Sequence, residues 1–501
     1  MEIVIENSIN VADIWAGIGG HFDSLGQIVN EFIDNSISNM VGNRTSSRNI
    51  IISLKELFPN GSVKVTIEDS GTGMKDLSKT FTLGNREAPD SPLNEHGFGL
   101  KHALASANPD NDAWSICTRT AEDYSKGQFK KIVAPYKIEG FSATIDTGAW
   151  PGQLNGTGTF VEFTCSRDMY RTIARGTKAS SFKTIADVLC EEIGFIYAGV
   201  IKDKSISITL KLFDSSNNEN ICPVGIVEPD WDDFFQPGSG SESYDLGGGP
   251  VTIKYQFGKI NEKEPRKEFE NTTSRKYYKK NMASSGVEIR LNGRVICNNL
   301  FTEIWGIEKH NSYNYLLITL DLISDKKNAL PETRTSKNGL REGDPKLEKI
   351  YNWVRSKLTM PEKDISLSDH EVDLFQELCK RKNEMIPDPA KVIDTEHRAF
   401  VTTTNDKDRV RIDLYENCIG QTTIYEGKKD KTSSKDVYQL RMYWDGLVYD
   451  KVPVNKGVLV AKEHPDSVYE LLKVVNSMTD ANGIHYCLEA KKWSDLGLNV
   501  K

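Results

Sequence analysis

The chain lacks several of the usual signposts. It has no run of about 18 apolar residues, so no segment is suited to span a bilayer as a helix. The N-terminal stretch MEIVIENSINVAD holds acids and no basic region before an apolar core, so a secretory leader is not expected. The cysteines are scattered: Cys117, Cys165, Cys190, Cys222, Cys297, Cys379, Cys418 and Cys487 form no CxxC pair and have no histidine at zinc spacing. Reduced thiols and a cytoplasmic location are the expectation, and structural zinc is not expected. Positive charge is not in excess: 63 lysines and arginines face 71 acids, for a net charge of −8. A generally basic nucleic-acid coat is thereby excluded, whereas a local basic groove is not. Two phosphate-binding signatures are also missing, GxxxxGK[ST] and a GxGxxG opening a βαβ unit.

What is present is an ordinary globular composition, 38% hydrophobic and 27% charged over 501 residues, which suggests about three domains. In HFDSLGQIVNEFIDNSISNMV, Phe22, Leu25, Ile28, Val29, Phe32, Ile33 and Ile37 recur at helical spacing. Glu31 and Asn35 lie one turn apart on that helix; a polar edge on a core helix has the same spacing. SVKVTIEDSGTGM reads as a strand, Val63, Val65 and Ile67 alternating, that stops in Asp69 and the glycines Gly71 and Gly73. Such an end can aim a carboxylate into a pocket, although a plain turn looks the same. In NEHGFGLKHALASAN, Gly97 and Gly99 precede a helical stretch with Lys101 at its start, an arrangement that suits polyphosphate. GTGTFVEF then places Gly158 and Thr159 at the head of an alternating strand.

Each piece is weak alone. In this order, within about 130 residues, E-x-x-x-N, D-x-G-x-G, G-x-G-x-K and G-T resemble the Bergerat-fold (GHKL) ATPases: gyrase B, the heat-shock chaperones, MutL, MORC proteins and histidine kinases. The resemblance covers about residues 10–165. It implies ATP and Mg²⁺ as cofactors, with Glu31 as general base and Asn35 as a Mg²⁺ ligand. Asp69 would bind the adenine amine, and Gly71 and Gly73 would line the base pocket. Gly97, Gly99 and Lys101 would contact phosphates, and Thr159 would bridge by water to the Asp69 region. The segment LGNREAPDSPLNEH would be a lid. Glu31 argues against a histidine kinase.

The middle of the chain carries the strand-like runs KSISITLKLF, PVTIKYQF, SGVEIRLNGRVI and NYLLITLDLI. VEPDWDDFFQPGSGSESYDLGGG between them reads as a loop. The region resembles a MORC-like second, transducer domain. Its loop LPETRTSKNGLREGDP matches by position the family loop that reaches the nucleotide, with Lys337 the preferred residue and Arg334 the next. A cation there would stabilise charge on the transferring phosphoryl group. PRKEFENTTSRKYYKKN interleaves Arg266, Lys267, Arg275, Lys276, Lys279 and Lys280 with Tyr277 and Tyr278; it could track a phosphate backbone or be a solvated loop.

Toward the C-terminus, Val372, Phe375, Leu378 and Cys379 mark an amphipathic helix. Val410, Ile412 and Leu414 alternate around Asp413, a turn spans Glu416 to Gln421, and TTIYEGK carries Glu426 and Lys428. Paired strands would bring Asp413 beside Glu426 and Lys428. Two carboxylates can hold Mg²⁺, and a lysine can assist phosphodiester attack. Asp413, Glu426 and Lys428, followed by DVYQLRMYWDGL with Gln439, Leu440 and Tyr443, resemble the PD-(D/E)xK nuclease core. Ile412 replaces the usual proline before the aspartate. Glu371, Glu377 or Glu396 could supply the usual upstream acid, and Glu489 with Lys491 and Lys492 is a competing site.

The expected fold class is α/β (α+β): a Bergerat ATPase sandwich over 1–185, an α/β transducer over 186–360 and a restriction-endonuclease-like α/β domain over 361–501. The expected activity is ATP-gated, metal-dependent cleavage of DNA by a homodimer. By family resemblance, this points to a bacterial phage or mobile-element defence effector, with a second defence protein possible. A MORC-like DNA clamp with a non-cleaving tail is the alternative. A third reading is a MutL-like or chaperone-like ATPase whose tail recruits a protein.

Overall fold

The computed structural model describes residues 11–82, 98–138, 140–214, 216–231, 238–260, 276–277, 285–334, 336–358, 371–400 and 410–498. The chain divides into two compact units, one of residues 1–308 with 315–360, the other of residues 309–314 with 361–501.

The first unit opens with α1 (Val11–Ile18) and α2 (Leu25–Gly42). Helix α2 starts at Leu25 because the Ser24 hydroxyl accepts the Gln27 N–H, so Phe22, expected on the helix, lies before its cap. Ile28, Val29, Phe32, Ile33 and Ile37 are all buried. There follow β1 (Asn49–Glu56), β2 (Val63–Asp69), α3 (Leu77–Phe81), α4 (Gly99–Ala107), β3 (Trp114–Arg119), α5 (Ala121–Ser125), β4 (Phe129–Val133), β5 (Thr144–Asp146) and β6 (Gly158–Cys165). Then come α6 (Arg167–Arg171), α7 (Phe182–Ile196), α8 (Ala198–Lys204), β7 (Ser207–Phe213) and β8 (Glu219–Pro223). The strands form one sheet in the order β5-β4-β3-β6-β2-β1-β7-β8, antiparallel except for the parallel pair β1 and β7. Ile50, Ile52, Leu54, Val63, Val65 and Ile67 pack with α2, α4 and α7 in one apolar cluster. On the other face, Glu68 accepts hydrogen bonds from Trp150 Nε1 and the N–H groups of Gln153 and Leu154. KSISITLKLF, expected in the second domain, is thus the seventh strand of this sheet. Alternation identifies a strand but does not say which sheet it joins. Cys190 on α7 and Cys222 on β8 face each other with Sγ atoms 3.2 Å apart.

The same unit holds a second sheet, built from β9 (Gly238–Asp245), β10 (Pro250–Lys259), β11 (Gly286–Leu291), β12 (Arg294–Leu300) and β13 (Leu316–Ile323), with α9 (Thr302–Trp305) and α10 (Pro345–Lys357). Its order is β12-β11-β13-β10-β9, and β11 runs parallel to β13. Strand β9 corrects the expectation of a loop. Gly238 and Gly240 pair with Phe257 and Tyr255, and a Cβ at either glycine would collide with the partner's ring. These glycines make room for aromatics rather than breaking a strand.

The second unit contains α11 (Glu371–Met385), β14 (Val392–Ala399), β15 (Val410–Cys418), β16 (Gln421–Gly427), α12 (Ser434–Tyr449), β17 (Lys456–Ala461), α13 (Asp466–Asn476) and β18 (Leu488–Lys492). The sheet follows chain order; β16, β17 and β18 are mutually parallel. Val372, expected in the core, is exposed, and Leu374 is buried instead. The expected turn over Glu416 to Gln421 is tighter, only Ile419 and Gly420, both at positive φ. The fold class is therefore mixed α/β, with three mixed sheets among the described residues. Among the described residues no helix is long and apolar enough to cross a membrane.

Candidate functional site

The first unit encloses a cavity of about 420 Å³ between α2, the end of β2, α3, the start of α4 and β6. Asn35, Asp69, Gly73, Gly99, Lys101 and Thr159, all singled out in the sequence, line it. Asp69 ends β2 and is buried. It accepts hydrogen bonds from Gly71 N at 2.8 Å and Ser36 Oγ at 3.0 Å. Burial nevertheless pushes its carboxyl up to about 6, against those donors and the Thr159 N–H. Gly71 sits just behind, wedged between Asn39 and Asp69. Asn39, which the sequence motifs did not include, accepts the Thr72 N–H at 2.7 Å and lines the same cavity. Its place four residues past Asn35 continues the Glu31–Asn35 stripe, a signal that spacing could have given. Lys101 donates to the carbonyls of Thr80 and Thr82 at 2.9 and 3.1 Å. Burial lowers its ammonium to about 8, opposed by Glu31.

Glu31 lies behind Gly99. A Cβ on Gly99 would fall 1.7 Å from Glu31 Oε1, so the carboxylate is packed directly on glycine backbone at the start of α4. Lys337 reaches it from the loop after β13, with Nζ 3.0 Å from Glu31 Oε2 and 3.2 Å from Asp34 Oδ2. Both side chains of the first pair are buried, 6% and 4% exposed. Burial raises the Glu31 carboxyl, and Lys337 opposes the rise. The alternative cation is elsewhere: Arg334 is half-exposed and paired with Glu342 at 2.6 Å. Gly97 and the lid segment 83–96 lie outside the described residues.

In the second unit, β15 and β16 pair antiparallel from Cys418↔Gln421 to Leu414↔Tyr425. The pairing ends at Asp413, where the strand changes face. Ile412 packs in one apolar cluster and Leu414 in the other, although alternation puts them on one side. Asp413 Oδ2 takes the Gly427 N–H at 3.0 Å instead. Glu426 is fully buried. Its Oε1 accepts from Lys428 Nζ at 3.0 Å, and Asp413 and the Tyr443 hydroxyl lie close to the same carboxylate. Burial raises the Glu426 carboxyl to about 8, with Asp413 adding to the rise and Lys428 opposing it. Burial also raises Asp413. For Lys428 burial acts downward, but Glu426, Glu371 and Asp413 outweigh it and hold the ammonium at about 12. Of the three candidate upstream acids, Glu371 is the one at the centre: its Oε2 lies 3.4 Å from Lys428 Nζ, and its Oε1 accepts the Lys429 N–H at 3.3 Å. Glu377 pairs with Arg381 and Glu396 with Arg411. Glu489 pairs with Lys456 and Lys491. On α12, Gln439 Nε2 donates to the Tyr443 hydroxyl at 2.7 Å.

Glu426 Oε2 is buried with no hydrogen-bond partner. A bound cation would satisfy that oxygen, and an all-oxygen donor pair suits a hard ion. Among the described residues no three His, Cys, Asp or Glu side chains form a ready metal cage. Mg²⁺ is commonly held by one or two carboxylates with water completing its shell, so Asp413 and Glu426 fit it.

The basic, aromatic stretch 265–281 is described only at Lys276 and Tyr277. Tyr277 is buried and hydrogen-bonds Glu288, so it is not a surface ring for stacking. Lys276 lies over the Phe195 ring.

No family model and no curated protein matches the chain. Among solved structures it is similar to the N-terminal domain of a DNA repair protein, at 14% identity over 70% of this chain and the whole of that one, with a TM-score of 0.37. It is also similar to the B-subunit of the DNA gyrase from Myxococcus xanthus, at 9% identity over 68% of this chain and 91% of that one, with a TM-score of 0.37.

Proposed function

We propose that the chain binds and hydrolyses ATP in its first unit and cleaves DNA with Mg²⁺ in its second. The observation that carries the cleavage reading is the buried Glu426, with one unpartnered oxygen, set between Asp413 and Lys428. For ATP, the support is the cavity lined by buried Asp69 together with Lys101 and Gly99. Asp69 would accept the exocyclic amine of adenine. Gly99 N–H and Lys101 would meet phosphate oxygens, as a helix start does. Asn35 would hold the nucleotide's Mg²⁺. Glu31 would take the proton of the attacking water, and Lys337 would move from Glu31 toward the γ-phosphate.

In the second unit Asp413 and Glu426 would hold Mg²⁺, which when bound polarises a phosphodiester and acidifies water. Lys428 would hold the attacking oxygen or offset charge on the phosphate. The substrate class follows from the surrounding charge. Lys431, Lys435, Lys462 and Lys492 are exposed and make no ion pair among the described residues. They stand just past β16, at the start of α12, just past β17 and at the end of β18. The register Gly427↔Val460 and Ala461↔Lys492 puts these ends on the edge where Lys428 lies. Such a set suits a nucleic-acid backbone. A homodimer, a role in phage defence and a second defence protein rest on the family resemblance alone, and a cytoplasmic location on the scattered cysteines alone.

The test is a cleavage assay on supercoiled and linear DNA with Mg²⁺ and either no nucleotide, ADP, ATP or a non-hydrolysable analogue. Wild type is compared with Glu31→Ala and Lys428→Ala. Nucleotide-dependent cutting that vanishes in Lys428→Ala is the expected result, and it shows whether ATP activates or restrains the cut. ATP-dependent retention of DNA without cutting in any lane would instead make the chain a clamp.

A further inference from the structure

Helix α2 carries a buried acid that the nucleotide chemistry above leaves without a role. Asp34 is fully buried, three residues past Glu31. Its Oδ1 accepts Arg294 Nε at 2.8 Å and lies 2.9 Å from the Tyr197 hydroxyl, while Oδ2 lies 3.2 Å from Lys337 Nζ. Arg294 is also buried, and its terminal nitrogen donates to the Lys337 carbonyl at 3.1 Å and the Val295 carbonyl at 3.2 Å. Glu31, Asp34, Arg294 and Lys337 thus form a buried group of two acids and two bases, in which loss of any one leaves an uncompensated charge.

The place of Arg294 is fixed by backbone. It follows the two-residue turn Asn292–Gly293 between β11 and β12, which presses onto the first turn of α8. A Cβ on Gly293 would fall 2.9 Å from Val200 N, and one on Gly199 would fall 2.8 Å from the Gly293 carbonyl. Gly293 N also donates to Asp321 at 2.9 Å. One guanidinium therefore spans α2 and the loop that carries Lys337. Lysine could not replace it, because the two contacts use separate nitrogens of a planar fork.

We infer that Asp34 and Arg294 are positioning residues for ATP hydrolysis: Arg294, anchored on Asp34, sets the backbone of Lys337 so that its ammonium meets Glu31 and the phosphate end of the cavity. The inference rests on the ATPase reading above. Asp34, Arg294 and Tyr197 do not line the cavity, so their work falls on the chemical step and not on nucleotide binding.

The test uses the full chain and compares wild type, Arg294→Gln, Arg294→Lys, Lys337→Ala and the double variant Arg294→Gln/Lys337→Ala. Steady-state hydrolysis gives kcat and KM; titration with a non-hydrolysable ATP analogue gives Kd; melting reports the fold. Arg294→Gln is expected to lower kcat by about ten- to a hundredfold, as misplacement of a catalytic group by about 1 Å does, with Kd within about twofold. Arg294→Lys does not restore kcat. The double variant is no slower than Lys337→Ala, because Arg294 acts through that lysine. Fully additive losses, or a lower kcat accompanied by a higher Kd and a lower melting temperature, would overturn the inference. Tyr197→Phe removes one hydroxyl and keeps the ring, so it carries the same comparison if Arg294→Gln does not fold. A wild-type chain that hydrolyses no ATP would sink the ATPase reading itself, a result distinct from any pattern among the variants.

Discussion

At the scale of single residues, Asp69 makes a pH prediction with a definite sign. Burial holds its carboxyl near 6, well above a free aspartate. Below that pH it keeps its proton and is a poorer acceptor for an amine; above it, it is ionised and accepts. ATP affinity is therefore expected to fall as pH drops through about 6 and to be flat above, measured by titration with a fluorescent analogue. Asp69→Asn should be weak and nearly independent of pH. If wild type showed no pH dependence, Asp69 would not be the adenine contact. Gly99 gives a second expectation. Its missing Cβ is the space that Glu31 occupies, so Gly99→Ala should displace the carboxylate and cut ATP turnover by about a hundredfold. Single-turnover hydrolysis checks this, and unchanged turnover would show that Glu31 is not the base. Most of this site was legible, because glycines, an acid at a strand end and an i, i+4 pair are local signals. Asp34 and Arg294 were not, since 260 residues separate them and a buried ion pair leaves no local pattern.

Among the elements, β2 shows why periodicity works: Val63, Val65 and Ile67 are buried and alternate with half-buried Lys64 and Thr66, as the spacing says. Helix α2 carries its apolar stripe as well, but it is buried on most of its circumference, Ile28 to Asp34 without a break. Strand β15 shows its limit. Ile412 and Leu414 alternate in sequence, yet the chain turns over at Asp413 to take the Gly427 N–H, and the two residues enter different clusters. Tertiary hydrogen bonding overrode the pattern at the place where chemistry is proposed. The assignment of β7 needed long-range pairing and could not come from its own residues. Its neighbour β8 yields a prediction through Cys222, which lies 3.2 Å from Cys190 on α7. That is a non-bonded contact, about an ångström longer than a disulfide bond, so a small movement would let the bond form. Mild peroxide should join the two thiols, with both thiol protons leaving as the peroxide is reduced to water. Non-reducing peptide mapping would then find a Cys190–Cys222 link, and its absence at full thiol consumption would mean the helix and strand do not sit as described.

For the molecule as a whole, the net charge of −8 means that any DNA binding must be local. If Lys431, Lys435, Lys462 and Lys492 form the binding surface, changing all four to Gln should weaken duplex binding most at low salt. The slope of log affinity against log salt should flatten by roughly three to four, near one for each phosphate no longer neutralised. Binding by Glu426→Gln protein, which keeps the surface but not the buried carboxylate, provides the reference, and an unchanged slope would place the DNA elsewhere.

The position of β1 has a consequence for how the protein is made. Its antiparallel partner β2 follows at once, but the strand on its other side, β7, begins about 160 residues later. At roughly 5–20 residues per second, a ribosome needs on the order of 10–30 s to supply it. During that time the edge of β1 is unpaired, open to the wrong strand of another nascent chain. A chain ending at residue 185 would stay in that condition, without β7, β8 and most of α7, so the nucleotide-binding part is expected to need the chain through β8 before it can be produced on its own.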